Sequence, residues 1–168
     1  FLTIGTLDPF DRLVKAVDAL AGSGRIQQRV LAQIGPGRYQ PVHLDACRVM
    51  DRQDYDEAMK NASLVISHAG MGSIITAVTL QKPMVVMPRL KQFGEHVNDH
   101  QLDTALKFEE LGAVLVARDE HQLAEKMEQA PGFRPTRRTP QVEPFARRIA
   151  AFLDTVSYSK SSGRKKIS

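Results

Sequence analysis

The chain has no tryptophan and a single cysteine among its 168 residues. One cysteine cannot close an intramolecular disulfide, which points to a reducing compartment. Cys47 reads as a small buried apolar residue before it reads as a nucleophile. Long hydrophobic runs are missing as well. The longest, at 113–117, 84–87 and 149–153, fall far short of the ~20 residues that a membrane-spanning helix needs. The first residues pass directly into a strand-like segment, so no leader peptide is expected. Aromatic residues make up only 6%. Tyr39, Tyr55 and Tyr158 are scattered, so the basic residues lack the stacking platforms of a nucleic-acid binder, and no nucleic-acid partner is expected. There is no G-x-x-x-x-G-K-[ST], which excludes a P-loop ATPase. The first turn lacks G-x-G-x-x-G, which argues against a nicotinamide dehydrogenase.

What is present is the composition of one soluble globular core, with 42% apolar and 25% charged residues. The net charge is +4 and the isoelectric point about 9.4. The excess is local. Arg134, Arg137, Arg138, Arg147 and Arg148 cluster late, and Lys160, Arg164, Lys165 and Lys166 close the chain. The Ser/Gly/Lys stretch 157–168 cannot bury enough surface to fold and is expected to be a disordered basic tail. Such a tail either stays solvated or lies against anionic lipid or an acidic partner.

Strand and helix signals alternate. Strands are expected at 2–5, 30–34, 46–50, 64–67, 84–87 and 114–117. Asp8 and Pro9 read as N-cap and first residue of a helix in which Phe10, Leu13, Val14, Val17 and Leu20 recur at helical spacing. Further helices are expected at 54–61, 73–80, 98–111 (with Gly112 at its C′ position) and from the Asp119 cap to about 129. This alternation implies a parallel, doubly wound sheet with helices on both faces, whose ligands bind at the carboxyl ends of the strands. Residues 1–130 form that expected domain. Residues 131–140 read as a linker. Residues 141–156 read as a helix with one apolar stripe, docked on this domain or reaching another chain.

The segment Ile66-Ser67-His68-Ala69-Gly70-Met71-Gly72-Ser73 reads as a buried strand entering a glycine turn and then a helix. Gly70 and Gly72 remove the Cβ atoms that would keep a ligand off the backbone. Ser73 suits an N-cap or first turn. Free amides and a partial positive charge at the helix start would make an anion site, in an α/β protein usually for nucleotide phosphate. An ordinary tight turn explains the same residues. Ser67 and Ser73 are candidate phosphate donors. His68 is either a structural histidine or, protonated or donating through one ring nitrogen, a stabiliser of developing charge. The Pro88-Arg89 turn and the Gly5-Thr6 turn lie at the same edge of the sheet.

A second polar cluster runs Gly94-Glu95-His96-Val97-Asn98-Asp99-His100-Gln101. His96 and His100 stand four apart, as helical metal ligands do, but without a clear third ligand. Asn98, Asp99 and Gln101 could cradle vicinal hydroxyls. A polar helix start with solvated histidines is the plainer alternative.

Together, Thr3-Ile4-Gly5-Thr6 with Phe10-Asp11, the serine-histidine-alanine-glycine turn at 67–70, Lys82-Pro83 with 85–88, and Asn98-Asp99-His100-Gln101 resemble the C-terminal, donor-binding half of family-28 glycosyltransferases. The resemblance covers residues 2–118. It is nearest to the stand-alone form of that half, as in two-subunit UDP-N-acetylglucosamine transferases and bacterial exopolysaccharide counterparts. It implies a Rossmann-like GT-B half-domain that grips a UDP-sugar. Gly70, Met71, Gly72 and Ser73 would hold the diphosphate, with Gly5 and Thr6 lining the cleft opposite. Asn98, Asp99 and Gln101 would read sugar hydroxyls, and Val49 would meet the uracil ring through backbone groups. Members often carry a ribose-binding glutamate where this chain has Thr76, so Thr76 or Glu95 would take that contact. The resemblance further implies no metal cofactor, a membrane-associated partner subunit that binds the acceptor, and a lipid-linked glycan as that acceptor. Its implied place is cytoplasmic, at the inner face of the membrane. A non-catalytic nucleotide-binding scaffold is the alternative. An epimerase would need a second Rossmann half.

Overall fold

Short apolar runs become strands wherever glycine, proline or an N-cap stops them. In a computed structural model that describes residues 1–136, six strands form one sheet: β1 (Leu2–Thr3), β2 (Leu31–Gln33), β3 (Asp45–Cys47), β4 (Val65–His68), β5 (Met84–Met87) and β6 (Leu115–Val116). Their order is β3-β2-β1-β4-β5-β6, and every neighbouring pair is parallel. The helices are α1 (Asp11–Gly22), α2 (Arg52–Asn61), α3 (Met71–Thr79), α4 (His100–Glu110) and α5 (Glu120–Gln129). The last residues of the expected linker, the expected helix 141–156 and the expected tail 157–168 lie outside the described residues. Among the described residues, no helix is long and apolar enough to cross a membrane.

The chain runs outward from β1 through β2 to β3, then returns to β4 on the other side of β1. The crevice at the carboxyl ends of β1 and β4 is therefore the switch point, where open parallel sheets bind ligands. Alternation along the strands gives each face its own core. Leu2, Ile4, Ala32, Ile34, Ile66, Val85 and Met87 pack with Phe10, Leu13, Val14 and Val17 at α1 and with Leu123 of α5. The opposite face buries Val65, Met84 and Val86, alongside buried Met59 of α2, Ile74 and Ala77 of α3, and Ala105 and Phe108 of α4. Each such side chain contributes about 1.5–3 kcal/mol by leaving water.

Four helix starts differ from expectation for identifiable reasons. Helix α2 begins two residues early, at Arg52, because the Asp51 side chain caps it by accepting from the Asp54 amide at 2.8 Å. Helix α1 begins at Asp11, with Phe10 as a cap that makes no side-chain bond, rather than at Pro9 after Asp8. The Asp8 and Pro9 carbonyls are instead turned toward the Arg89 guanidinium. Helix α3 begins two residues early, at Met71, with Gly70 as its cap. Helix α4 begins two residues late, because Asp99 accepts a hydrogen bond from the Lys91 amide instead of capping the helix with its side chain. Gly112 ends α4 as expected, at φ +64°. Its amide and that of Ala113 donate to Glu109 and Phe108 carbonyls at 2.8 and 2.9 Å, the Schellman pattern.

The β2–β3 connection contains no helix in the described residues; Asp11 accepts from its Arg38 amide at 3.0 Å, Arg48 donates to Gly35 O and Gly37 O, and Asp18 holds its second half. Asp18 of α1 is 3% exposed. It accepts from the Tyr39 hydroxyl at 2.7 Å, the Val42 amide at 3.1 Å and the His43 amide at 2.7 Å. Burial raises its pKa, but the bonds from His43, Tyr39 and Val42 outweigh burial and leave it below the usual carboxylate value. At the sheet edge beyond, exposed Asp45 of β3 pairs with Arg29.

Asp18→Ala should lower the unfolding free energy by about 1–3 kcal/mol, because it removes the acceptor of the Tyr39 hydroxyl and of two partly buried amides. Urea titration measures the loss. The Asp18 contribution is full above the ordinary carboxylate pKa and fades as pH falls below it, so wild type and variant should converge in acid.

Candidate functional site

Strand β4 delivers its last residue, His68, to the switch point, and the chain turns there into α3. The first amide of α3 with an intrahelical acceptor is that of Ile74, which donates to Gly70 O at 3.1 Å. The amides of Met71, Gly72 and Ser73 precede it and carry the helix's positive end. No acidic residue stands in the first turn of α3, so no carboxylate competes with an incoming anion.

The two glycines of this turn have different physical reasons. A Cβ on Gly70 would stand 2.1 Å from His68 Nε2. Gly70 is required by the histidine beneath it, not by ligand approach. A Cβ on Gly72 would meet nothing within 4 Å among the described residues. Gly72 therefore faces open space at the helix end. Across the crevice, Gly5 has φ +75°, and a Cβ there would stand 3.3 Å from His68 Cε1. One imidazole thus underlies both turns. Thr6, next to Gly5, is exposed.

His68 is mostly buried, which pushes its pKa down from 6.5 to about 4; the Arg89 and His96 charges add to the shift, and the Thr3 carbonyl opposes it. The lowered pKa favours the neutral ring near pH 7, in which one ring nitrogen still donates. Ser67 is fully buried, and its hydroxyl lies 3.2 Å from His68 Nδ1. Its hydroxyl is turned to the ring of His68 rather than to solvent. Ser73 is buried too, with its hydroxyl 3.3 Å from the Tyr55 hydroxyl on α2. On β1, the Thr3 hydroxyl donates to Gln33 Oε1 at 2.7 Å.

Arg89 is 3% exposed. Its Nη2 donates to Ile4 O at 2.7 Å and Asp8 O at 2.8 Å. It serves the site by shaping the turn that carries Gly5 and Thr6. Gln101 is 5% exposed, and its Oε1 accepts from the Arg89 amide at 3.2 Å, which leaves its NH2 group for any ligand. Glu95 is drawn away from a ribose role by Arg12, with Nε–Oε1 at 2.7 Å. The Thr76 hydroxyl donates back to Gly72 O at 2.9 Å and retains only acceptor capacity.

Asn98 and Asp99 are exposed at the lip of the loop. The Asn98 carbonyl oxygen accepts from the His100 amide at 3.3 Å and also lies against His100 Nδ1. The His96 and His100 rings meet edge to face, centroids 4.6 Å apart. Among the described residues no group of three metal-binding side chains forms. Val49, 64% exposed, stands at the end of β3, on the wall of a cavity of about 600 Å³ that Cys47, Met50, Asp54 and Ala58 also line. Sequence reasoning missed Arg12 and Tyr55 as parts of this assembly. A lone arginine beside Phe10 at a helix start was the one available signal.

The sequence profile described as Glycosyltransferase family 28 C-terminal domain matches residues 1–146. The chain belongs to this family. A human relative, UDP-N-acetylglucosamine transferase subunit ALG13, is 34% identical over 123 residues, 67% of this chain and 10% of the relative's length. The mouse protein of the same name is 33% identical over 125 residues, again 67% of this chain and 10% of its own length. The family-28 domain therefore spans a small part of these relatives. The crystal structure of the glycosyltransferase SnogD from Streptomyces nogalater matches with a TM-score of 0.54 at 18% identity, over 77% of this chain and 33% of that one. That likeness concerns fold, and the fold is the expected one: a Rossmann-like parallel sheet with helices on both faces, the C-terminal half of a GT-B glycosyltransferase.

Two outcomes follow for the glycine turn. Gly70→Ala should cost about 1–3 kcal/mol by overpacking against His68, whereas Gly72→Ala should be neutral or stabilising by up to about 1 kcal/mol; urea unfolding of both variants checks the contrast. Because the folded His68 pKa of about 4 lies below 6.5, stability is full above pH 6.5 and falls as pH drops toward 4. His68→Gln should flatten that slope in unfolding experiments run across the same pH range.

Proposed function

We propose that this domain is the donor-binding part of a UDP-sugar-dependent glycosyltransferase, transferring a hexose or N-acetylhexosamine. The observation that carries the reading is the amino end of α3: three leading amides, no acid in the first turn, and Gly72 open to the crevice. A diphosphate fits such an end, where amide dipoles offset its charge. Gly5 and Thr6 would line the opposite wall. Asn98, Asp99 and the Gln101 amide would meet the sugar, and the uracil would lie near Val49.

In transfer, an acceptor hydroxyl attacks the anomeric carbon, the bond to the diphosphate oxygen breaks, and UDP leaves. The leaving oxygen gains charge beside the α3 amides, so their stabilisation grows toward the transition state. In this scheme the charge is met by the helix end without a metal. Neutral His68 keeps both turns in place beneath the diphosphate.

The acceptor half would be supplied by a separate membrane-associated subunit presenting a lipid-linked glycan, with this domain held at the cytoplasmic face and inactive alone. The name of the human and mouse relatives, each a transferase subunit, supports a multi-subunit arrangement.

Calorimetric titration of UDP into the full chain tests the reading. Saturable heat is expected, lost in Gly72→Val, whose branched side chain would occupy the phosphate position. No binding at millimolar UDP, or unchanged affinity in Gly72→Val, would overturn it and leave a scaffold.

A further inference from the structure

Glu95 sits on the loop that follows β5, yet its carboxylate faces α1 rather than the crevice. Arg12 Nε meets Oε1 at 2.7 Å and Nη2 meets Oε2 at 2.8 Å. Oε2 also accepts from the Leu90 amide at 3.0 Å. Arg12 donates further to Pro88 O at 3.2 Å and reaches Glu120 at 3.5 Å. The Phe93 ring covers the guanidinium, 4.5 Å from ring centroid to Cζ. The two side chains are 12% and 10% exposed. A forked, charge-assisted pair in such a place is directional and weakly screened.

The loop it holds is folded on itself. Lys91–Phe93 make a single 3-10 turn that Gly94 ends at φ +67°. Asp99 Oδ1 accepts from the Lys91 amide at 2.7 Å and so joins the two ends of the loop. That bond closes the loop on itself, and Arg12 ties it to α1. Its far lip carries His96, Asn98 and Asp99. His68 pairs with Met87, the last residue of β5, so the loop leaves the sheet beside the glycine turn. The buried Nδ1 of His96 has no hydrogen-bond partner among the described residues.

We infer that the Arg12–Glu95 pair is a positioning device that holds the 90–99 loop over the amino end of α3, so that this loop reads the sugar of the donor while the turn beneath holds the diphosphate. The inference rests on the donor-binding reading above and assigns the two recognition tasks to separate elements. Arg12 and Glu95 touch neither sugar nor phosphate. They set the fraction of molecules whose loop is in place.

The test is titration of UDP and of UDP-N-acetylglucosamine into the full chain, as wild type, Glu95→Gln and Arg12→Lys. Glu95→Gln keeps the acceptor for the Leu90 amide and removes the charge; Arg12→Lys keeps the charge and loses the fork. If the loop becomes correctly placed in one molecule in ten, sugar-nucleotide affinity falls about tenfold while UDP stays within about twofold. Hydrogen exchange at the Leu90 and Lys91 amides should quicken in both variants, a readout that needs no ligand. Equal weakening of UDP and sugar nucleotide, or no weakening of either in a folded variant, would overturn the device. Wild type that binds UDP and gains nothing from the sugar would also overturn it, with the donor-site reading intact. Wild type that binds neither would bring down both.

Discussion

A buried cation satisfied by carbonyl oxygens organises the crevice. Arg89 leaves β5 and turns inward, where Ile4, Asp8 and Pro9 aim their carbonyls at it and the Phe10 ring lies 5.1 Å from the guanidinium carbon. Burial lowers its pKa, and Asp8 and Glu95 oppose the shift. A turn with several inward carbonyls is tolerable only where a donor collects them. The path from β1 to α1, including the positions of Gly5 and Thr6, is thus dictated by a residue some eighty positions later. Through its own amide, Arg89 also fixes Gln101 and with it the start of α4. The two loops that flank the crevice share one anchor.

His68 performs the complementary task from below. Its ring fits only because positions 5 and 70 have no side chain, and its neutral state follows from the same enclosure. The glycine turn therefore divides its work. Gly70 accommodates the protein's own imidazole, and Gly72 leaves the helix end accessible. A motif that reads as one unit in sequence is two constraints in space, one internal and one directed outward.

The sheet was legible because its strands are short apolar runs with clear stops, and because alternation with helical patterns permits few topologies. The end of α4 was legible because Gly112 has a single conformational reason. The crevice's position followed from topology once six strands were expected. Less could be read where partners are far apart in the chain. Asp18 holds a loop two dozen residues on, and Arg12 meets Glu95 across 83 positions. No local pattern reports either. Ser67, Glu95 and Arg89 carry the donors and acceptors a sugar nucleotide wants, and their residue types invited that reading. Their side chains are largely committed to the protein, because a buried polar group near a site must first satisfy itself. Asp8 looked like a cap for the same reason: composition shows capacity, and geometry decides the recipient.

The edges of the sheet bear on how the domain behaves among its own copies. Among the described residues, the sheet stops at one side at three residues, Asp45–Cys47, whose first side chain is an exposed acid paired with Arg29. At the other side the described sheet stops at the two residues of β6. An unfinished row of amides and carbonyls invites passing strands in proportion to its length and flatness, and charge at the rim discourages them. A crowded solution of this protein should accordingly resist ladder-like growth into fibres, since neither border offers a template long enough to extend.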